Sequence, residues 1–88
     1  MRPLFEQSAT RLSLPGFVTA HSHAFQRALR GKTQRAPTAT GTFWSWRDAM
    51  FHLADTLSPE RLAAVSRQAF DELRAAGVTT VGEFHYVH

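Results

Sequence analysis

Two histidines separated by one residue, His21 and His23, are the side chains in this sequence best placed to do chemistry. They close a short apolar, partly β-branched run, Phe17-Val18-Thr19-Ala20. In an extended backbone, residues i and i+2 point to the same face. Two imidazoles at a strand end can therefore converge on one metal ion, and imidazole nitrogen is a good zinc ligand. A bare His-x-His is weak evidence, because two polar residues at a strand end give the same pattern. The chain has no cysteine, so disulfides and thiolate sites are excluded, and any metal must be held by His and carboxylate groups. His85 is adjacent to Tyr86, so on a strand the two face opposite ways. Packing or a hydrogen bond to a ligand suits His85 and His88 better than ligation. His52, beside Phe51 and Leu53, reads as structural.

The elements that would position these groups are legible from periodicity and punctuation. Leu14-Pro15-Gly16 reads as a turn, and residues 17–21 as a buried strand. Ala24 to Arg30 has helix-forming composition, enough for about two turns before Gly31. Lys32 to Gly41 reads as a loop. Thr42 is a candidate cap for a helix over 43–57, with Phe43, Trp46, Met50, Leu53 and Leu57 on one apolar face. Ser58-Pro59 announces a second helix over 59–76, with Ser at the N-cap and Pro at the first helical position. Leu62, Val65, Ala69, Phe70, Leu73 and Ala76 recur along it at helical spacing. Gly77 is suited to stop it in a left-handed turn. Residues 78–84 read as a second strand.

The order strand, helices, strand predicts an α/β chain with parallel strands in a right-handed crossover unit. Strands of such a sheet need cover on both faces and neighbours on both edges. Two strands leave both needs unmet, so the expectation is a fragment of a larger fold. The length, 88 residues, allows one small domain at most. With 43% hydrophobic and 19% charged residues, the composition is that of a globular chain and not a disordered one. No apolar run approaches the roughly 18 residues of a membrane span, and no apolar leader follows Met1. The net charge of +3 comes with ten Lys and Arg spread along the chain. Their densest stretch, Arg27, Arg30, Lys32 and Arg35, reads as a solvated basic loop and not as a nucleic-acid surface. A cytoplasmic location fits this composition.

Residues 14–23, Leu-Pro-Gly-Phe-Val-Thr-Ala-His-Ser-His, resemble the first-strand signature of the amidohydrolase superfamily. A narrower match joins three blocks: His21-Ser22-His23-Ala24-Phe25-Gln26-Arg27-Ala28, Phe43-Trp44-Ser45-Trp46-Arg47, and Glu83-Phe84-His85-Tyr86-Val87-His88. Together they resemble the formiminoglutamate deiminases of bacterial histidine degradation, from about Leu14 to the last residue. The resemblance implies a (β/α)8 TIM barrel of which this chain is the first strand, the helices and the second strand. Residues 1–13 would be the remnant of an N-terminal β-rich segment, and residues 14–88 the truncated start of the barrel. Barrel active sites lie at the C-terminal ends of the strands.

The activity implied is zinc-dependent hydrolysis of N-formimino-L-glutamate to N-formyl-L-glutamate and ammonia. His21 and His23 would be two ligands of a single Zn2+. Gln26 would sit beside the reacting end of the substrate, where an amide can both donate and accept hydrogen bonds. Arg47 would grip a substrate carboxylate with its guanidinium fork, and Tyr86 would reach the same carboxylate. Taken alone, these three read as a helix-surface amide, an exposed helix arginine and a strand-end aromatic. Phe43, Trp44 and Trp46 would either wall the pocket or, as is commoner for aromatics at helical spacing, belong to the core.

The family's other zinc ligands, a His and an Asp, and its acid-base Glu and His come from later strands, so no catalytic residue is expected here. The implied partner is a small-molecule substrate, with neither nucleic acid nor membrane, and a homodimer is left open for full-length relatives. Two other readings stand beside this one. A purine- or triazine-type deaminase of the superfamily would share His21 and His23 but has no reason to pair Arg47 with Tyr86. A non-catalytic truncated product is the other.

Overall fold

The computed structural model describes residues 5–33 and 43–87. The Thr42 cap, most of the 32–41 loop and His88 lie outside the described residues. Two short strands, β1 (Glu6–Gln7) and β2 (Leu12–Ser13), pair antiparallel, Glu6 opposite Ser13 and Gln7 opposite Leu12. Strand β3 (Phe17–Ser22) follows, then a 3-10 turn over Ala24–Leu29. Helices α1 (Phe43–Thr56) and α2 (Pro59–Ala75) lead to β4 (Val78–Glu83). β3 and β4 are hydrogen-bonded neighbours and run parallel, from Phe17 opposite Val78 to Ser22 opposite Glu83. The expected β-α-α-β order is therefore present, with each boundary within a residue or so of its reading from sequence.

Local chemistry explains those boundaries. The Ser58 hydroxyl accepts from the Arg61 N–H at 3.1 Å, and Pro59 opens α2. An N-cap of this kind satisfies one of the donors a helix start leaves unpaired. Past the last turn of α2, Gly77 takes φ +93°, the left-handed conformation that suits glycine. The chain then turns directly into β4, and Phe17 N–H donates to the Gly77 carbonyl at 2.9 Å, tying the start of β3 to the start of β4.

The core lies between the 3-10 turn and the helices, away from the sheet. Phe25, Leu29, Met50 and Leu53 are buried together, and Trp46, Leu57, Leu62 and Val65 pack around them. Three expectations about burial are corrected. Phe43, placed on the inward face of α1 by its spacing, is 63% exposed, because the buried part of that face begins at Trp46. Trp44 projects into solvent as well, so neither aromatic is core. Strand β3 was expected to be buried, yet Phe17 is 58% and Val18 68% exposed. Among the described residues the β3–β4 sheet has only two strands, so apolar side chains that suit a covered sheet meet solvent.

Candidate metal centre

The C-terminal ends of β3 and β4 face a groove of about 560 Å³, and the histidine pair lines it. His21 and His23 project to the same side, as their spacing requires. Their Nε2 atoms stand 2.8 Å apart, with the rings edge to face at a centroid distance of 4.6 Å. His23 is fixed from behind: its Nδ1 lies 3.0 Å from the Phe84 carbonyl oxygen. A carbonyl has no proton to give, so in the neutral ring Nδ1 carries the proton and donates. That leaves the His23 Nε2 lone pair directed into the groove, where the His21 Nε2–H meets it. A backbone acceptor on the far nitrogen is the usual means of orienting a metal-binding imidazole.

The pair fits as half of a zinc site. Two nitrogens bound to one tetrahedral zinc stand roughly 3.3–3.4 Å apart, given Zn–N distances of about 2.0–2.1 Å. Moving the rings apart by about half an ångström, with the His21 proton transferred to Nδ1 or solvent, is enough. Among the described residues no group of three or more His, Asp or Glu is close enough to hold a metal ion. His21 and His23 would thus offer a metal two nitrogens, and a stable site needs more.

Tyr86 stands at the same end of the sheet, its ring 4.6 Å from that of His23 and 5.0 Å from that of Phe84. It lines the same groove and is half-exposed. His85, just after the end of β4, is exposed. His52 is exposed on α1 and takes no part in the packing expected of a structural residue. Gln26 and Arg47 are not brought into this groove. The Gln26 amide turns toward α1, its Nε2 3.1 Å from Met50 Sδ. Arg47 lies on the solvent face of α1, its guanidinium carbon 4.6 Å from the Phe51 ring centroid and 5.8 Å from that of Trp44. Histidines and tyrosine therefore form one cluster, while the amide and the guanidinium stand apart on the helical side.

Two supports of the cluster carry no obvious signal in the sequence. The Arg27 guanidinium grips the Glu72 carboxylate with two parallel bonds, Nε–Oε2 at 2.7 Å and Nη2–Oε1 at 2.8 Å, joining the 3-10 turn to α2. Those bonds hold the Glu72 carboxyl below its ordinary range and raise the Arg27 guanidinium. The second support is Glu83, whose carboxylate accepts from the Ala24 N–H at 2.6 Å. A carboxylate closing an apolar strand is the one clue the sequence offers to it.

The parallel β-α-α-β unit carries its converging imidazoles at the carboxyl end of the sheet, and residues 12–88, which include all of it, match the amidohydrolase family model. The chain belongs to the amidohydrolase family. It is 45% identical over 75 residues to a formimidoylglutamate deiminase from Pseudomonas aeruginosa, covering 85% of this chain and 17% of that protein. It is 31% identical over 74 residues to an 8-oxoguanine deaminase from the same organism, covering 84% of this chain and 16% of the relative. Among solved structures, an amidohydrolase from Brucella melitensis superposes with a TM-score of 0.73 at 44% identity, over 84% of this chain and 16% of that one. The chain thus spans about a sixth of the length of these relatives.

Proposed function

We propose that this chain forms the first strand-helix-strand unit of a (β/α)8 barrel that hydrolyses N-formimino-L-glutamate to N-formyl-L-glutamate and ammonia. The observation that carries the reading is the convergence of the His21 and His23 Nε2 atoms at the carboxyl ends of two parallel strands, with the Tyr86 ring tilted beside that of His23. Similarity to the formimidoylglutamate deiminase supports the choice of substrate. In this reading the β1–β2 hairpin belongs to a β-rich section preceding the barrel.

His21 and His23 would hold a zinc ion through Nε2. When bound, zinc supplies an electrophilic centre and a water acidified toward about pH 7. Phe84 keeps His23 in the one tautomer that leaves its Nε2 free. Tyr86 offers a hydroxyl to a substrate carboxylate at the groove mouth. Arg47, its guanidinium carbon 4.6 Å from the Phe51 ring centroid on the helical side, would have to swing toward the groove to bring its planar fork to the same group. Gln26 presents an amide that can donate to an imine nitrogen or a carbonyl oxygen as the formimino carbon changes. Proton transfer to the departing ammonia is left to groups outside this chain.

An 8-oxoguanine deaminase reading is favoured by the second relative and uses the same histidines. It gives Arg47 and Tyr86 no carboxylate to bind. A hybrid enzyme separates the two: residues 14–88 replace the matching segment of the Pseudomonas formimidoylglutamate deiminase, and ammonia release is measured from each substrate. Turnover of N-formimino-L-glutamate, abolished by His23→Ala, is the expected result. A folded, zinc-loaded hybrid that prefers 8-oxoguanine overturns the assignment.

A further inference from the structure

We infer that Glu83 is a positioning residue for the metal-ligating pair, acting through the backbone that follows His23. The inference rests on the metal reading above and adds to it a residue that touches neither metal nor substrate. Three consecutive residues, Ser22, His23 and Ala24, are each bonded by one of two consecutive residues, Glu83 and Phe84. The Phe84 N–H donates to the Ser22 carbonyl at 3.0 Å. The His23 Nδ1–H donates to the Phe84 carbonyl at 3.0 Å. The Ala24 N–H donates to Glu83 Oε1 at 2.6 Å, the shortest of the three and the one made by a charged acceptor. His23 is thus held on both sides in the chain and by its own ring.

The need for the third bond follows from what β3 does next. The strand ends at Ser22 and the chain turns at once into the 3-10 turn starting at Ala24, so His23 sits at a bend with φ −132° and ψ 82° and no side-chain cap. The Ala24 N–H at that bend is buried with its residue and has no helical carbonyl to meet. Glu83 reaches across from β4 to satisfy it. Its other oxygen, Oε2, is buried with no hydrogen-bond partner among the described residues. A buried acceptor without a donor costs free energy, so a carboxylate kept merely for stability would be poorly chosen here. Its placement makes sense as geometry: one oxygen fixes the bend, and the bend fixes the direction of His23. Among the described residues Glu83 forms no group of three with the histidines that could hold a metal ion.

The test needs a readout that loss of stability alone does not move. In the 88-residue chain, at a pH where the imidazoles are neutral, 15N NMR of the His23 ring reports which nitrogen is protonated. The same samples are titrated with zinc against a chromophoric chelator, and circular dichroism reports folding. Wild-type His23 is expected as the Nδ1–H tautomer. In Glu83→Ala the bend relaxes, His23 moves toward the Nε2–H form that free histidine favours, and zinc affinity falls by about ten- to a hundredfold. Glu83→Gln, which keeps an acceptor oxygen for Ala24, retains both the tautomer and most of the affinity. Should Glu83→Ala be unfolded, Glu83→Asp, too short to reach Ala24, is expected to show the same loss in a folded chain. An unchanged His23 tautomer and zinc affinity in a folded Ala or Asp variant overturns the inference, as does a Gln variant as impaired as Ala. If the wild-type chain takes up no zinc, the metal reading fails, and the tautomer measurement still decides the role of Glu83.

Discussion

At the scale of single residues, three groups converge and two stand apart, and each arrangement has its own consequence. His23 is oriented by the Phe84 carbonyl and met by His21, so removing its ring removes half of the converging imidazole pair. Arg47 lies over the Phe51 ring and, among the described residues, forms no ion pair, which leaves its fork available to a carboxylate. In the hybrid enzyme, Arg47→Ala is expected to raise KM for N-formimino-L-glutamate by roughly ten- to a hundredfold with a smaller change in kcat, since a charged hydrogen bond contributes about 1.5–3 kcal/mol. Unchanged KM removes Arg47 from the substrate site. Gly82, next to Glu83, permits the close approach of β3 and β4 here: a Cβ would lie 2.8 Å from the Ala20 carbonyl oxygen. Gly82→Ala is therefore expected to push the strand ends apart, lowering the melting temperature and weakening zinc uptake together. A variant as stable as the wild type and equally able to bind zinc would show that the approach is not required.

At the scale of elements, local signals were legible and long-range ones were not. Ser58-Pro59 and Gly77 fix the ends of α2 through bonds within a few residues, so their meaning is visible in the sequence. The i, i+2 spacing likewise fixed the common direction of His21 and His23. By contrast, the exposure of Phe43 and Val18 depends on what packs against them, which periodicity cannot report. The Glu83–Ala24 bond spans 59 residues and the Arg27–Glu72 pair 45, and neither has a local pattern. The Arg27–Glu72 pair ties the turn after His23 to α2, and its pH dependence has a definite sign. Glu72 has a lowered pKa in the folded chain because Arg27 bonds its carboxylate. Its contribution is thus complete above the ordinary Glu value of about 4.3 and is lost as the pH falls through the lowered folded value. Arg27 stays charged throughout. Melting temperatures of the wild type and Glu72→Gln should differ at neutral pH and converge in acid. A difference that persists in acid would assign the pair no such role.

At the scale of the whole molecule, the described residues form a mixed α/β unit, with a core of four buried side chains between the 3-10 turn and the helices and a two-stranded sheet whose faces are largely bare. In the proposed reading its histidines would offer a metal two nitrogens, and among the described residues no group of three or more His, Asp or Glu could hold one. The 88-residue chain alone, supplied with zinc, is therefore expected to release no ammonia from N-formimino-L-glutamate above background. Turnover would point to ligands within the chain itself, beginning with His85 and His88. The parallel order of β3 and β4 and the superposition on the Brucella amidohydrolase make the carboxyl end of the sheet the place where a barrel would carry its chemistry. Metal binding by the pair at that end is the claim on which the rest depends, and a competitive zinc titration of the wild-type chain beside His21→Ala and His23→Ala tests it most directly. The account predicts weak binding of one zinc per chain, reduced at least about tenfold by either substitution, since a two-imidazole site cannot lose one ligand and keep its affinity. Equal zinc affinity in all three chains would contradict it.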